Sequence, residues 1–95
     1  METTIDEAAE IRLGRYGRMA IEHWRRWLPE MTATLEASGE LESAAAAARE
    51  QTILDMTAIE EDLQMSGHSP GQANMIAWEM VRERYILLEP EPGVE

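Results

Sequence analysis

The chain has no cysteine, no phenylalanine and no lysine. The first absence removes disulfides, thiolate metal sites and thiol nucleophiles together, and with them any fold of the stapled, secreted type. The second leaves an aromatic content of 5%, in Tyr16, Trp24, Trp27, Trp78 and Tyr85, beside a hydrophobic content of 44%. Ala, Leu, Ile and Met must therefore fill the core, and that mixture favours helices. Runs of alternating apolar and polar residues are missing, as are internal repeats, so no strand is expected. No stretch of about 18 apolar residues is present, and the first seven residues, Met1 to Glu7, lack the basic and apolar regions of a signal peptide. The reading that follows is a cytoplasmic protein with no membrane contact.

At 95 residues there is room for one core. The net charge is −11, but it is unevenly placed. Arg12, Arg15, Arg18, Arg25 and Arg26 face only Glu22 between residues 11 and 28, which leaves that stretch at +4 and the rest of the chain at −15. A basic helix is thus set in an acidic protein. Arginine suits bidentate contacts to carboxylate or phosphate better than lysine does.

Helix signals follow one another along the chain. Thr4 and Glu7 form a capping-box pattern, and Ile5, Ala9, Leu13, Tyr16, Ala20, Trp24 and Trp27 recur at spacings of three and four. Gly14 and Gly17 weaken that helix by about 1 kcal/mol each relative to Ala, so a continuous helix and a separate arm over residues 1–13 both stay open. Pro29 opens a second helix running to Ser38-Gly39. From Glu40 to Met65 there is neither Gly nor Pro, and Leu41, Ala45, Ala48, Thr52, Met56, Ile59 and Leu63 mark a buried stripe. Ser66-Gly67 ends this helix, and Ser69-Pro70-Gly71-Gln72 opens the last, expected to reach Leu88. Its apolar residues cover more than one face, which suggests a central helix or a surface for a partner, a homodimer included. Met56 and Met80 are read as core. Residues 89–95 hold three Glu and two Pro and are expected to be an extended, mobile tail. The fold expected is all-α, a single domain over residues 1–88 forming a small three- or four-helix bundle with a mobile acidic C-terminal tail.

The segment Leu13-Gly14-Arg15-Tyr16-Gly17-Arg18-Met19 resembles the start of the TnpV-type proteins encoded on bacterial transposons. Leu35-Glu36-Ala37-Ser38-Gly39-Glu40-Leu41, the turn at Gly67 and the last helix with Trp78 follow in the same order, so the resemblance spans residues 13 to about 88. Its motifs are short, and Glu79-Met80 stands where the family carries Met-Asn. The resemblance implies an association with mobile DNA and brings no catalytic residue.

Nothing in the residues converges on catalysis. His23 and His68 lack a Glu three positions ahead, where Ala20 and Met65 stand, so a paired ligand set on a helix is not expected, and both histidines are read as solvated. Neither a metal nor a cofactor is expected. Gly14 and Gly17 have no following Lys-Ser/Thr and so do not make a phosphate loop. The most suggestive local feature is Trp24-Arg25-Arg26-Trp27. Together with Arg15 and Arg18, the residues Trp24, Arg25 and Arg26 are the candidate partner-binding helix, directed at a protein partner of the nucleic-acid-processing kind or at nucleic acid itself. The competing account places both tryptophans in the core and pairs the arginines with neighbouring Glu. The alternative working surface is acidic: Glu60, Glu61 and Asp62 would belong to a nucleic-acid mimic that occupies a basic groove, in the manner of anti-CRISPR inhibitors. Adjacent helical residues diverge, and a solvated face explains that trio equally well.

Overall fold

The computed structural model describes the backbone of residues 2–94 and the side chains of residues 11–94. Four helices make up the described chain: α1 (Glu2–Trp27), α2 (Pro29–Ser38), α3 (Leu41–Met65) and α4 (Pro70–Tyr85). The described residues contain no strand, and the fold is all-α. The capping box read at Thr4 and Glu7, like the positions of Ile5 and Ala9, lies outside the described side chains.

The question left open at the two glycines is decided by the backbone. Gly14 has φ 58° and ψ −165°, a conformation essentially restricted to glycine, and it breaks α1 into an arm and an inner segment. The break lets Leu13 fold back over Gly17. A Cβ at position 17 would stand 2.8 Å from the Cβ of Leu13, so only glycine leaves the room. Leu13 is thereby buried, 7% exposed, against the cluster formed by Ala20, Trp24 and Leu28 of the inner segment and its short exit.

The uninterrupted run after Gly39 makes α3, and α3 touches all three others. Its stripe is buried as the spacing predicts at Leu41, Ala45, Ala48, Thr52 and Met56, while Ile59 and Leu63 are half-buried. The alanines at 45 and 48 face the cluster that contains the inner segment of α1, where small side chains permit close approach. Further along, Met56 packs with Ala77 and Val81 of α4. Tyr16, Trp78 and Tyr85 join the two clusters, and the Tyr16 and Trp78 rings stack at 5.0 Å between centroids. Asn74 meets Glu60, and Arg84 and Tyr85 meet Asp55, so α4 runs antiparallel to α3.

Ser69 opens α4 with a complete capping box, its hydroxyl accepting from the Gln72 backbone while the Gln72 side chain accepts from the Ser69 N–H. The helix stops at Tyr85 instead of Leu88. Leaving the helix lets Ile86 become fully buried and turns its carbonyl towards the Trp24 indole, which donates at 3.0 Å. The broad apolar set read on α4 is divided accordingly. Ala73, Ala77 and Val81 are buried, residues 86–88 beyond the helix pack against the first cluster, and Met75 and Met80 are exposed. Met80, expected in the core, is 52% exposed, whereas Met56 is buried as expected. α3, which packs most extensively on its neighbours, takes the central place that the width of α4 had suggested for the last helix.

The segment after Leu88, read as an extended tail, has defined contacts at Glu91. Its N–H donates to the Trp27 carbonyl at 2.9 Å, and its carboxylate accepts from the backbone of Glu30 and Met31 at 3.1 and 2.9 Å. Leu28, which precedes α2, has no side chain able to cap it. A carboxylate from 60 residues further along the chain therefore does the work of an N-cap, satisfying two free N–H groups and placing negative charge at the positive end of the helix. Glu91→Ala should lower stability by about 1 kcal/mol, within the range found for lost N-caps. Urea unfolding of the two proteins checks this, and an unchanged midpoint would leave the cap without energetic weight.

Both histidines, expected to be solvated, are part-buried and engaged with backbone. His23 Nε2 lies 2.8 Å from the Leu88 carbonyl, and His68 Nδ1 lies 3.1 Å from the Leu63 carbonyl. A carbonyl only accepts, so the proton sits on the named nitrogen in each ring. Asp55 collects the remaining polar contacts between α3 and α4, accepting from Arg84 at 3.1 Å and from the Tyr85 hydroxyl at 2.9 Å. That hydrogen bond first, then partial burial and the carboxylate charge, raise the Tyr85 phenol above its ordinary value of 10.0, with Arg84 acting in the opposite sense. Since the folded value is the higher one, the contribution to stability is complete below the unfolded value and is lost as pH rises through the folded value. Phenolate absorbance should therefore appear later for Tyr85 than for a free tyrosine. Asp55→Asn should bring it back down, and a titration identical in the two proteins would contradict the assignment.

Candidate basic interface on the first helix

The inner segment of α1 turns Ala20 and Trp24 inward, and the Leu28 that follows is buried with them. At 3.6 residues per turn, the opposite side then carries Arg15, Arg18, Glu22, Arg25 and Arg26 within an arc of about 100°, over about 16 Å of axis. All five are exposed. The structure thus brings the four arginines read from the sequence onto one solvent-facing strip, with Glu22 as the single acidic residue among them.

Their environments differ. Arg25 is paired with Glu36 of α2 at 3.1 Å, with both side chains about half exposed, so the pair is worth little to stability. Arg26 lies over the Trp27 ring at 5.0 Å to the centroid, a cation–π contact. Among the described residues neither Arg15 nor Arg18 has a carboxylate within ion-pair distance. These two present their charge with the least competition.

Trp24 does not belong to this surface. It is 4% exposed, its indole N–H is used by the Ile86 carbonyl, and its ring lies in the first core cluster. The sequence reading that placed Trp24 among the contact residues is corrected on this point, and Trp27 is the indole that reaches the edge of the strip. The alternative acidic set is divided by the helix. Successive residues of α3 diverge by about 100°, and Glu60 is half-buried and accepts from Asn74 at 2.7 Å. Glu61 and Asp62 are both exposed, and the Asp62 backbone carbonyl accepts from the Ser66 hydroxyl at the end of α3. Glu60, Glu61 and Asp62 do not make one face.

No family model, curated protein or solved structure matches this chain. The site therefore stands on its own geometry. In the block from Leu13 to Met19, Gly14 and Gly17 have a structural use, the kink and the seat of Leu13, while Arg15 and Arg18 lie on the exposed strip.

Elsewhere the described surface offers little that is convergent. An open groove of about 710 Å³ is lined by His23, Arg82, Glu83, Leu87, Leu88, Glu89 and Pro90. Its one guanidinium pairs with Glu79 at 3.0 Å through Nη2 while its Nε is buried without a partner, its imidazole is bonded to the Leu88 carbonyl, and Glu83 and Glu89 are the remaining charged groups. Among the described residues there is no group of three His, Cys, Asp or Glu able to hold a metal ion, and no helix long and apolar enough to cross a membrane.

Proposed function

We propose that this protein acts without catalysis, by docking the arginine strip of α1 onto an acidic patch of a macromolecular partner. The observation that carries the reading is the collection of Arg15, Arg18, Arg25 and Arg26 on one exposed face, backed by a packed core that fixes the helix. A protein partner suits the charge better than nucleic acid does. The whole chain carries −11, so a polyanion is repelled at distances where a mixed protein surface is not. Direct nucleic-acid binding through four arginines would release about four counterions and fade steeply with salt. The resemblance, which spans residues 13 to about 88, supports a setting on mobile DNA, with the partner a nucleic-acid-processing protein.

Arg15→Glu with Arg18→Glu is the cleanest probe, because neither side chain supports the fold through a described ion pair. Affinity capture from host lysate at low salt should recover a partner protein with the native chain, with or without nuclease. Recovery should fall at least tenfold with the double variant and decline as salt is raised. Equal recovery by the two proteins sinks the reading. Recovery abolished by nuclease, and replaced by nucleic acid bound directly, would replace the protein partner with nucleic acid.

A further inference from the structure

The back of α3 is uncovered although α3 is the central helix. Ala47, Gln51, Leu54, Ala58, Glu61 and Met65 are all exposed, with Leu54 at 63% and Met65 at 87%. Their spacings alternate four and three, so they form one narrow seam with the repeat of a coiled coil, about 27 Å long at 1.5 Å per residue. The molecule is correspondingly flat. Its principal extents are 46, 39 and 16 Å, and its radius of gyration is 15.2 Å, against about 12 Å expected for a compact domain of this length. A second layer is missing on this side.

The seam is complementary to itself only in the antiparallel sense. Turned about a two-fold axis centred at position 56, Leu54 faces Ala58 of a second copy, Met65 faces Ala47, and Gln51 faces Glu61. Each large side chain meets a small one, and the one amide meets the one carboxylate, to which it can donate. In the parallel sense alanine would face alanine and leave gaps, and Glu61 would face Glu61 with like charge in the seam. Two helices joined over this length bury on the order of 1,000 Å² in total, which is the lower range of specific interfaces.

We infer that the outer face of α3 is the interface of a homodimer in which two copies pair antiparallel through Ala47, Gln51, Leu54, Ala58, Glu61 and Met65. The interface is weak and reversible, because its apolar area is small and Glu50 and Asp62 flank it with like charge. It lies on a different helix from the arginine strip, so the success or failure of one says nothing against the other.

Sedimentation equilibrium of the full chain from about 1 to about 200 µM should show a monomer–dimer equilibrium, tightened by salt. Leu54→Glu removes an apolar contact and adds an unpaired charge twice per dimer, and should weaken association about a thousandfold with the circular dichroism unchanged. The register is read by charge. Gln51→Lys, facing Glu61, should tighten the dimer, and Gln51→Glu should weaken it, each by about tenfold. Because the chain has no cysteine, mixed Leu54→Cys and Ala58→Cys proteins report position directly. Oxidation should join Leu54→Cys to Ala58→Cys in preference to either protein with itself. A monomer at every concentration, a dimer indifferent to Leu54→Glu, or cross-linking of Leu54→Cys chiefly to itself would each overturn the inference.

Discussion

Replacing Trp24 by alanine should cost about 3–5 kcal/mol, the range for removing a large aromatic side chain from a core. For a domain whose total stability is of the order of 5–15 kcal/mol, this is enough to leave a sizeable unfolded fraction at moderate temperature. Two losses add. The ring belongs to the first cluster at 4% exposure, together with Leu13, Ala20, Leu28, Leu41, Ala45, Ala48 and Ile86, and its removal leaves a cavity there. The indole N–H also satisfies the Ile86 carbonyl at 3.0 Å, and that bond ties the exit of α4 to α1. Trp24→Phe separates the two terms. It keeps most of the volume and loses the donor, so it should cost about 1–3 kcal/mol, the penalty for a buried acceptor left unpaired. Denaturant unfolding of both variants checks the ranking. Equal stability of Trp24→Phe and the native chain would mean that the Ile86 carbonyl finds another donor. A loss below about 1 kcal/mol for Trp24→Ala would contradict the packing itself.

How much of this was legible beforehand depends on how local the cause is. The α3 stripe from Leu41 to Met56 could be read because burial there follows the helical period and nothing interrupts it. The capping box at Ser69 and the turn at Gly39 are equally local. The arginine strip was half legible. Its residues and their clustering are in the sequence, but the arc they share depends on which side of α1 is buried, and Trp24 could be assigned to the core only once Ile86 was seen to accept its proton. Glu91 was illegible, because a proline-rich acidic segment reads as a tail and its target lies 60 residues away. The end of α4 was missed for a related reason. Ile86, Leu87 and Leu88 continue a helical pattern by type, and the contacts that hold them after Tyr85, the Ile86 carbonyl to the Trp24 indole and the Leu88 carbonyl to His23, lie more than 60 residues away in sequence. The back of α3 was hidden by the opposite circumstance: a seam of Ala, Gln, Leu and Glu is too mixed to look apolar until its exposure on a central helix is known.

The same distinction between local and distant cause gives Gly14 and Gly17 a joint test. Gly14→Ala forces an L-residue into φ 58° and ψ −165°, where the strain is about 1–3 kcal/mol, and sets a Cβ 2.8 Å from the Arg49 Nε. The Arg49 side chain can move aside; the backbone cannot relax while the kink persists. Gly17→Ala sets a Cβ 2.8 Å from the Leu13 Cβ and so displaces the same arm from its seat. Each single variant should therefore lose about 2–3 kcal/mol, limited by what the seated arm contributes, since the chain can escape by releasing Leu13 and continuing α1 without a kink. Once the arm is released, the second alanine meets no clash and gains about 1 kcal/mol of helix propensity over glycine. The double variant should consequently be about 1 kcal/mol more stable than either single one, with a coupling energy of about 3–4 kcal/mol in a double-mutant cycle. Simple additivity would show that the two glycines serve separate ends. Hydrogen exchange on residues 2–13 provides the structural reading, since amides of the arm should lose protection in all three variants while those of α3 keep theirs.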